Sequence, residues 1–113
     1  MATLESFKSE TQLGVTAENI VTTNASENRF IGKATVTNTS TSNVQVTIWR
    51  ILTATTATTG SGGNWLIRET IPSGKVVILR DLMQHVLGNS MAIKALADTA
   101  SVVNIDISGT TET

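Results

Sequence analysis

A chain of 113 residues has room for one domain and one core, and its 40% hydrophobic content is enough to fill that core. A net charge of −1, with four Lys and four Arg scattered from Lys8 to Lys94, excludes the clustered basic face of a nucleic-acid-binding protein. Without cysteine there is neither disulfide nor thiolate chemistry, and a single histidine leaves no partners for a catalytic triad or a zinc site.

The first sixteen residues read differently from the rest, so residues 1–16 are assigned to an N-terminal arm and residues 17–113 to a single domain. Leu4 and Phe7 stand three apart among Glu5, Lys8 and Glu10, a spacing that suits one helical turn or an extended segment docking on a neighbouring subunit. The segment lacks the apolar stretch of a signal peptide, and no apolar run reaches the length of a membrane span. Folding in a cytoplasm, with no membrane partner, is the expectation.

Beyond the arm, threonine takes more than one position in six and alternates with β-branched apolar residues, as in Ala34-Thr35-Val36-Thr37 and Val44-Gln45-Val46-Thr47-Ile48-Trp49. Stiff β-branched side chains suit a pleated, half-buried surface, so the pattern predicts an all-β domain. Asn19 to Thr23 is a short strand, and Asn24 to Asn28 a turn. Arg29 to Thr39 is a long strand with Phe30, Ala34 and Val36 facing one way and Ile31, Lys33, Thr35 and Thr37 the other; Gly32 marks a bulge. Thr39 to Asn43 is short and polar enough to close a hairpin into Val44 to Leu52. On that strand Val44, Val46 and Ile48 point inward, which sends Trp49 and Ile51 outward. Tryptophan is enriched at interface hot spots, so Trp49 is the expected anchor of self-association, with Ile51 beside it.

Thr53 to Asn64 is nearly all Thr, Ala, Ser and Gly, and reads as a flexible loop that orders only when something packs on it. It lacks the Lys-Ser/Thr pair of a phosphate-binding loop. Trp65 follows directly and opens a strand to Thr70; Pro72-Ser73-Gly74 is a turn, and Lys75 to Leu79 an apolar strand. Asp81 to Leu87 carries helix signals: Asp81 as cap, His85 in the last turn, Gly88 just beyond. Met91 to Ala97 and Val102 to Ser108 complete the domain as a pair joined by Asp98 to Ser101. The fold expected is an antiparallel β-sandwich, jelly-roll-like, with one short helix.

No catalytic, cofactor-binding or metal-binding residue is assigned. Glu69, Asp81, Asp98 and Asp106 are too far apart in sequence to form a calcium loop, and hydroxyls are too common to single one out. Asn24-Ala25-Ser26 and Asn38-Thr39-Ser40 match the glycosylation sequon only incidentally in a cytoplasmic chain. The candidate interface residues are Leu4, Phe7, Trp49, Ile51 and Trp65. Charged residues make up only 15% of the chain, so the surface is built largely of Thr, Ser and Asn. Such a surface is hydrated, nearly neutral and compatible with close packing against copies of itself.

From Asn19 to Gly109 the layout resembles a family of small bacteriophage virion proteins. The segments are Thr35-Val36-Thr37-Asn38-Thr39, then Val44-Gln45-Val46-Thr47-Ile48, a small-residue loop, Ile71-Pro72-Ser73-Gly74-Lys75, Leu87-Gly88-Asn89-Ser90-Met91-Ala92-Ile93-Lys94-Ala95 and Val103-Asn104-Ile105-Asp106-Ile107-Ser108-Gly109. The resemblance implies a jelly-roll-like sandwich that is a structural part of the virion. The leading expectation is a capsid decoration (cement) protein, a homo-oligomer, expected as a trimer, bound to the major capsid protein. A neck, tail or baseplate adaptor bound to another virion protein is the alternative, and a glycan-binding module a third. The resemblance brings no catalytic residues with it.

Overall fold

The structure, a computed structural model, describes residues 3–60 and 63–113. Alternating β-branched residues carry the chain through β1 (Leu4–Gln12), β2 (Glu18–Thr22), β3 (Asn28–Asn38), β4 (Val44–Leu52), β5 (Ile67–Ile71), β6 (Val76–Ile78), β7 (Val86–Leu87), β8 (Met91–Ala97) and β9 (Val103–Glu112). Sheet A has the order β1-β9-β3-β6, with the short β7 also paired to β3, and sheet B the order β2-β8-β4-β5. Every pairing is antiparallel. Successive strands therefore alternate between sheets through most of the chain, the nested Greek-key order of a jelly roll.

The inner faces supply the core: Ile31, Ala34, Val36, Val103, Ile105 and Ile107 from sheet A meet Val21, Val44, Val46, Ile48, Ile71, Ile93 and Ala95 from sheet B, all buried. A one-residue bulge between Ile31 and Lys33 sets the facing in β3. The bulge falls at Gly32, where it was expected, and it flips the alternation: Ile31 joins Ala34 and Val36 inside while Phe30 turns outward with Lys33 and Thr35, the reverse of the facing expected for Phe30 and Ile31. Opposite the bulge, Gly109 is required: a Cβ there would overlap the Phe30 carbonyl oxygen.

The two connections expected to close hairpins instead cross between sheets. β3 and β4 lie in different sheets, as do β8 and β9. Asn38 builds the first crossing. It is fully buried, its Nδ2 donates to the carbonyls of Ser42 (2.8 Å) and Ile71 (2.9 Å), and its Oδ1 accepts from the Ser40 amide (2.9 Å) and hydroxyl (2.7 Å). An amide with all these partners turns the chain without a ladder to follow, and it removes Asn38 as a glycosylation acceptor.

The helix predicted over Asp81 to Leu87 does not form. The Leu82 and Met83 amides donate to the Leu79 carbonyl at 3.1 and 3.3 Å, but Gln84 then adopts a left-handed φ of 69°. Its N–H donates to the Ile31 carbonyl at 2.7 Å, and the Ile31 N–H donates to the His85 carbonyl at 2.9 Å. One turn is too short to overcome the cost of helix nucleation, so pairing with β3 wins and Val86 and Leu87 become β7.

Leu4 to Gln12 of the expected arm is β1, an integral strand of sheet A. It pairs with β9 along its length, from Leu4 opposite Glu112 to Gln12 opposite Asn104. The period of two overrides the Leu4/Phe7 spacing: Phe7, Ser9 and Thr11 are half-buried, whereas Ser6, Lys8, Glu10 and Gln12 are exposed. Met1 and Ala2 lie outside the described residues.

Candidate functional site

The expected interface residues are not gathered on one surface. Trp49 stands on the outer face of sheet B, as alternation requires, but it is 0% exposed. Residues 53–60 and 63–65 fold back over it. Trp49 Nε1 donates to the Thr58 carbonyl (3.3 Å), Lys94 Nζ to the Thr55 carbonyl (3.0 Å) and Arg68 Nη2 to the Thr59 carbonyl (3.1 Å). Within the stretch, Asn64 Oδ1 accepts from the Thr58 amide (2.9 Å) and its Nδ2 donates to the Thr56 carbonyl (3.1 Å). What packs on this loop is the protein's own sheet, so Trp49 anchors a loop and offers no surface to a partner. Ser61 and Gly62, at the loop's glycine-rich end, lie outside the described residues.

Trp65 is half-buried with its ring under the Arg68 guanidinium, 3.7 Å from centroid to Cζ, which occupies one face of the ring. Ile51 is half-buried beside Trp49. Phe7, midway along the edge strand β1, packs against the core under Arg29 at 4.9 Å. Of the five, only Leu4 is largely exposed, at 65%.

The open surface lies elsewhere, on the outer face of sheet A. Rows of side chains cross it from β1 through β9 and β3 to β6 or β7: Gln12, Asn104, Thr37, Val76; then Glu10, Asp106, Thr35, Ile78; then Lys8, Ser108, Lys33; then Ser6, Thr110, Phe30, Val86. The face thus grades from Lys8 and Glu10 on β1, through small polar residues interrupted by Asp106 and Lys33 in the middle, to apolar along β6 and β7. Val76, Ile78, Phe30 and Val86 are all exposed there. A shallow groove of about 380 Å³ runs along it, lined by Glu10, Gln12, Thr35, Thr37, Asn104 and Asp106.

Glu10 sits directly opposite Asp106, and Lys8 offsets both. Its Nζ is 2.7 Å from Glu10 Oε1, and the hydrogen bond and charge of Glu10, helped by Asp106, raise the Lys8 pKa above its ordinary value. Among the described residues no group of three or more His, Asp or Glu is placed to hold a metal ion. His85 is half-buried beside β7, where its carbonyl accepts from Ile31.

The apolar strip was missed because Lys75 to Leu79 reads as one continuous apolar run. Alternation on an outer strand was the available signal: a three-residue strand at a sheet edge must turn half of such a run, here Val76 and Ile78, to solvent.

No family model matches the chain, and no curated protein matches it in sequence. Among solved structures it is similar in fold to a protein of Bacillus endospore appendages, described as forming a novel family of disulfide-linked pili. The TM-score is 0.53 at 14% identity, covering 98% of this chain and 86% of that one. A second likeness, to a structure of infectious bursal disease virus Gt strain, has a TM-score of 0.31 at 10% identity and covers 98% of this chain but 31% of the viral one. At that score the second likeness carries nothing over to this chain. The first shows the fold.

Proposed function

We propose that this chain is a non-enzymatic structural subunit of a virion, assembled in the host cytoplasm and acting as a capsid decoration protein. The observation that carries the reading is the outer face of sheet A. It combines exposed apolar Val76, Ile78, Phe30 and Val86 with a field of Thr, Ser, Asn and Gln in which Lys8 and Lys33 balance Glu10 and Asp106. Apolar area contributes about 25 cal/mol per Å² when covered, and uncharged hydroxyls cost less to dehydrate than carboxylates or ammonium groups. Such a face suits an extended protein surface of matching shape, of which a capsid offers many copies. Many symmetric sites let weak contacts hold a particle together.

The order of segments from Asn19 to Gly109 supports the phage-virion reading, and the fold shared with an appendage protein is compatible with a building-block role. That protein's family is described as disulfide-linked; this chain has no cysteine, so its assembly would do without disulfides. The alternative, a neck, tail or baseplate adaptor, uses the same face in fewer copies. A glycan-binding role finds less support, because Trp49 is covered and Trp65 is stacked on Arg68.

The reading is tested on particles assembled with and without this chain. A decoration protein raises the temperature at which the shell opens, so particles lacking it release their contents at lower temperature. Identical heat profiles for the two preparations would refute the shell-stabilising role.

A further inference from the structure

β1 is the longest sheet edge left open: it spans nine residues, against five in β2 and five in β5, and among the described residues its only strand partner is β9. The hydrogen bonds at its two ends fix which backbone groups face outward. Thr3 and Thr113 exchange N–H···O bonds of 3.1 and 3.0 Å, and the Leu13 N–H donates to the Val103 carbonyl at 2.8 Å. Antiparallel ladders alternate bonded with non-bonded pairs, so Glu5, Phe7, Ser9 and Thr11 turn their N–H and C=O groups toward β9. Leu4, Ser6, Lys8, Glu10 and Gln12 turn theirs to the open side.

Those outward-turned residues also carry the exposed side chains, among them Lys8 and Glu10. Charges on an edge strand usually discourage pairing with another strand. Here they discriminate between registers. Same-face matching allows only shifts of two residues when a second β1 pairs antiparallel with the first. Centring on Lys8 sets lysine against lysine, and centring on Glu10 sets glutamate against glutamate; both repel. Centring on Ser9 places Lys8 opposite Glu10 of the second copy and Glu10 opposite its Lys8, with Ser6 facing Gln12 and Phe7 facing Thr11. In that register each outward-turned backbone group meets an outward-turned group, so the ladder bonds can form. Lys8 and Glu10 then each have an opposite charge both along their own strand and across the pair.

We infer that two copies of this chain pair through β1, antiparallel and two-fold about Ser9, joining their A sheets into one continuous sheet. The occupant is a second copy because one segment supplies both halves of the charge pattern; a foreign antiparallel strand would have to carry the same Lys-x-Glu spacing. The pairing yields a dimer, where the sequence reading expects a trimer, and it is independent of the virion role, which uses the face of the sheet and not its edge.

The test uses the full chain and two kinds of variant. In sedimentation, wild type associates to twice the monomer mass as concentration rises. Lys8→Glu and Glu10→Lys each weaken the dimer about ten-fold through two like-charge pairs, and the double swap restores it. Because the natural chain lacks cysteine, Ser9→Cys reports the register cleanly: as a non-hydrogen-bonded pair on the two-fold axis it forms an intermolecular disulfide under mild oxidation, while Thr11→Cys, displaced from its counterpart, stays monomeric. A wild type that remains monomeric at hundreds of micromolar, a double swap no better than the single changes, or equal cross-linking of the two cysteine variants would overturn the inference.

Discussion

Trp49 shows how a correct facing leads to a wrong role. Alternation along β4 places it opposite Val44, Val46 and Ile48, and the structure keeps it there. What local sequence does not reveal is that a loop of Thr, Ala and Gly, with no apolar signal of its own, folds over the indole and bonds to it through the Thr58 carbonyl. Removing a fully buried tryptophan costs about 3–5 kcal/mol. Trp49→Ala is therefore expected to lower folding stability by about that amount in denaturant titration and to make residues 53–60 sensitive to protease. A Trp49→Ala protein of wild-type stability and protease resistance would show that the loop does not rest on the indole. Asn38 is the polar counterpart. Its side chain donates to the Ile71 carbonyl and shares the Ser42 carbonyl with the Ser40 hydroxyl at the crossing between sheets. Leaving buried acceptors unpaired costs about 1–3 kcal/mol, so Asn38→Ala should shift the urea midpoint downward by a corresponding amount. An unchanged midpoint would mean that the crossing is held by its other contacts.

At the level of strands, the period-2 segments were legible and their partners were not. β2, β3, β4, β5, β8 and β9 fall close to the runs that alternation marks, because each buries one face against the opposite sheet. The first segment was misjudged because its inward positions are Phe7, Ser9 and Thr11, too polar to register as a buried stripe. Its pairing with β9 depends on residues about a hundred positions away. The helix over 81–87 failed for the same reason: Asp81 and Gly88 are sound local signals, but Ile31 offered hydrogen bonds that the local sequence cannot show. Deletion of residues 2–10 tests the revised view of the N-terminus. It strips most of β1 from β9, uncovers a bonded edge and removes Phe7 from the interior. The expected outcome is a lower melting temperature and aggregation on heating, whereas an independent arm would leave the melting temperature where it was.

For the molecule as a whole, the jelly-roll order determines which surfaces stay open. Strands from distant parts of the chain are neighbours, β1 with β9 and β2 with β8, so the sandwich ties both ends of the chain into its sheets. Its outer faces are then free to differ. The outer face of sheet B holds an internal loop, and sheet A leaves open a graded face whose two lysines and two acids balance. The composition made this surface legible in outline, since a Thr-rich chain with few charges must expose hydroxyls. The apolar strip along β6 and β7 was hidden, because its exposure depends on where those short strands sit in the sheet. The central claim is that this face serves a multi-copy shell. The most direct measurement is the molar ratio of this chain to the major capsid protein in purified particles, by quantitative mass spectrometry. The account predicts hundreds of copies per particle, in simple proportion to the capsid lattice; a few copies, or none in purified heads, would contradict it.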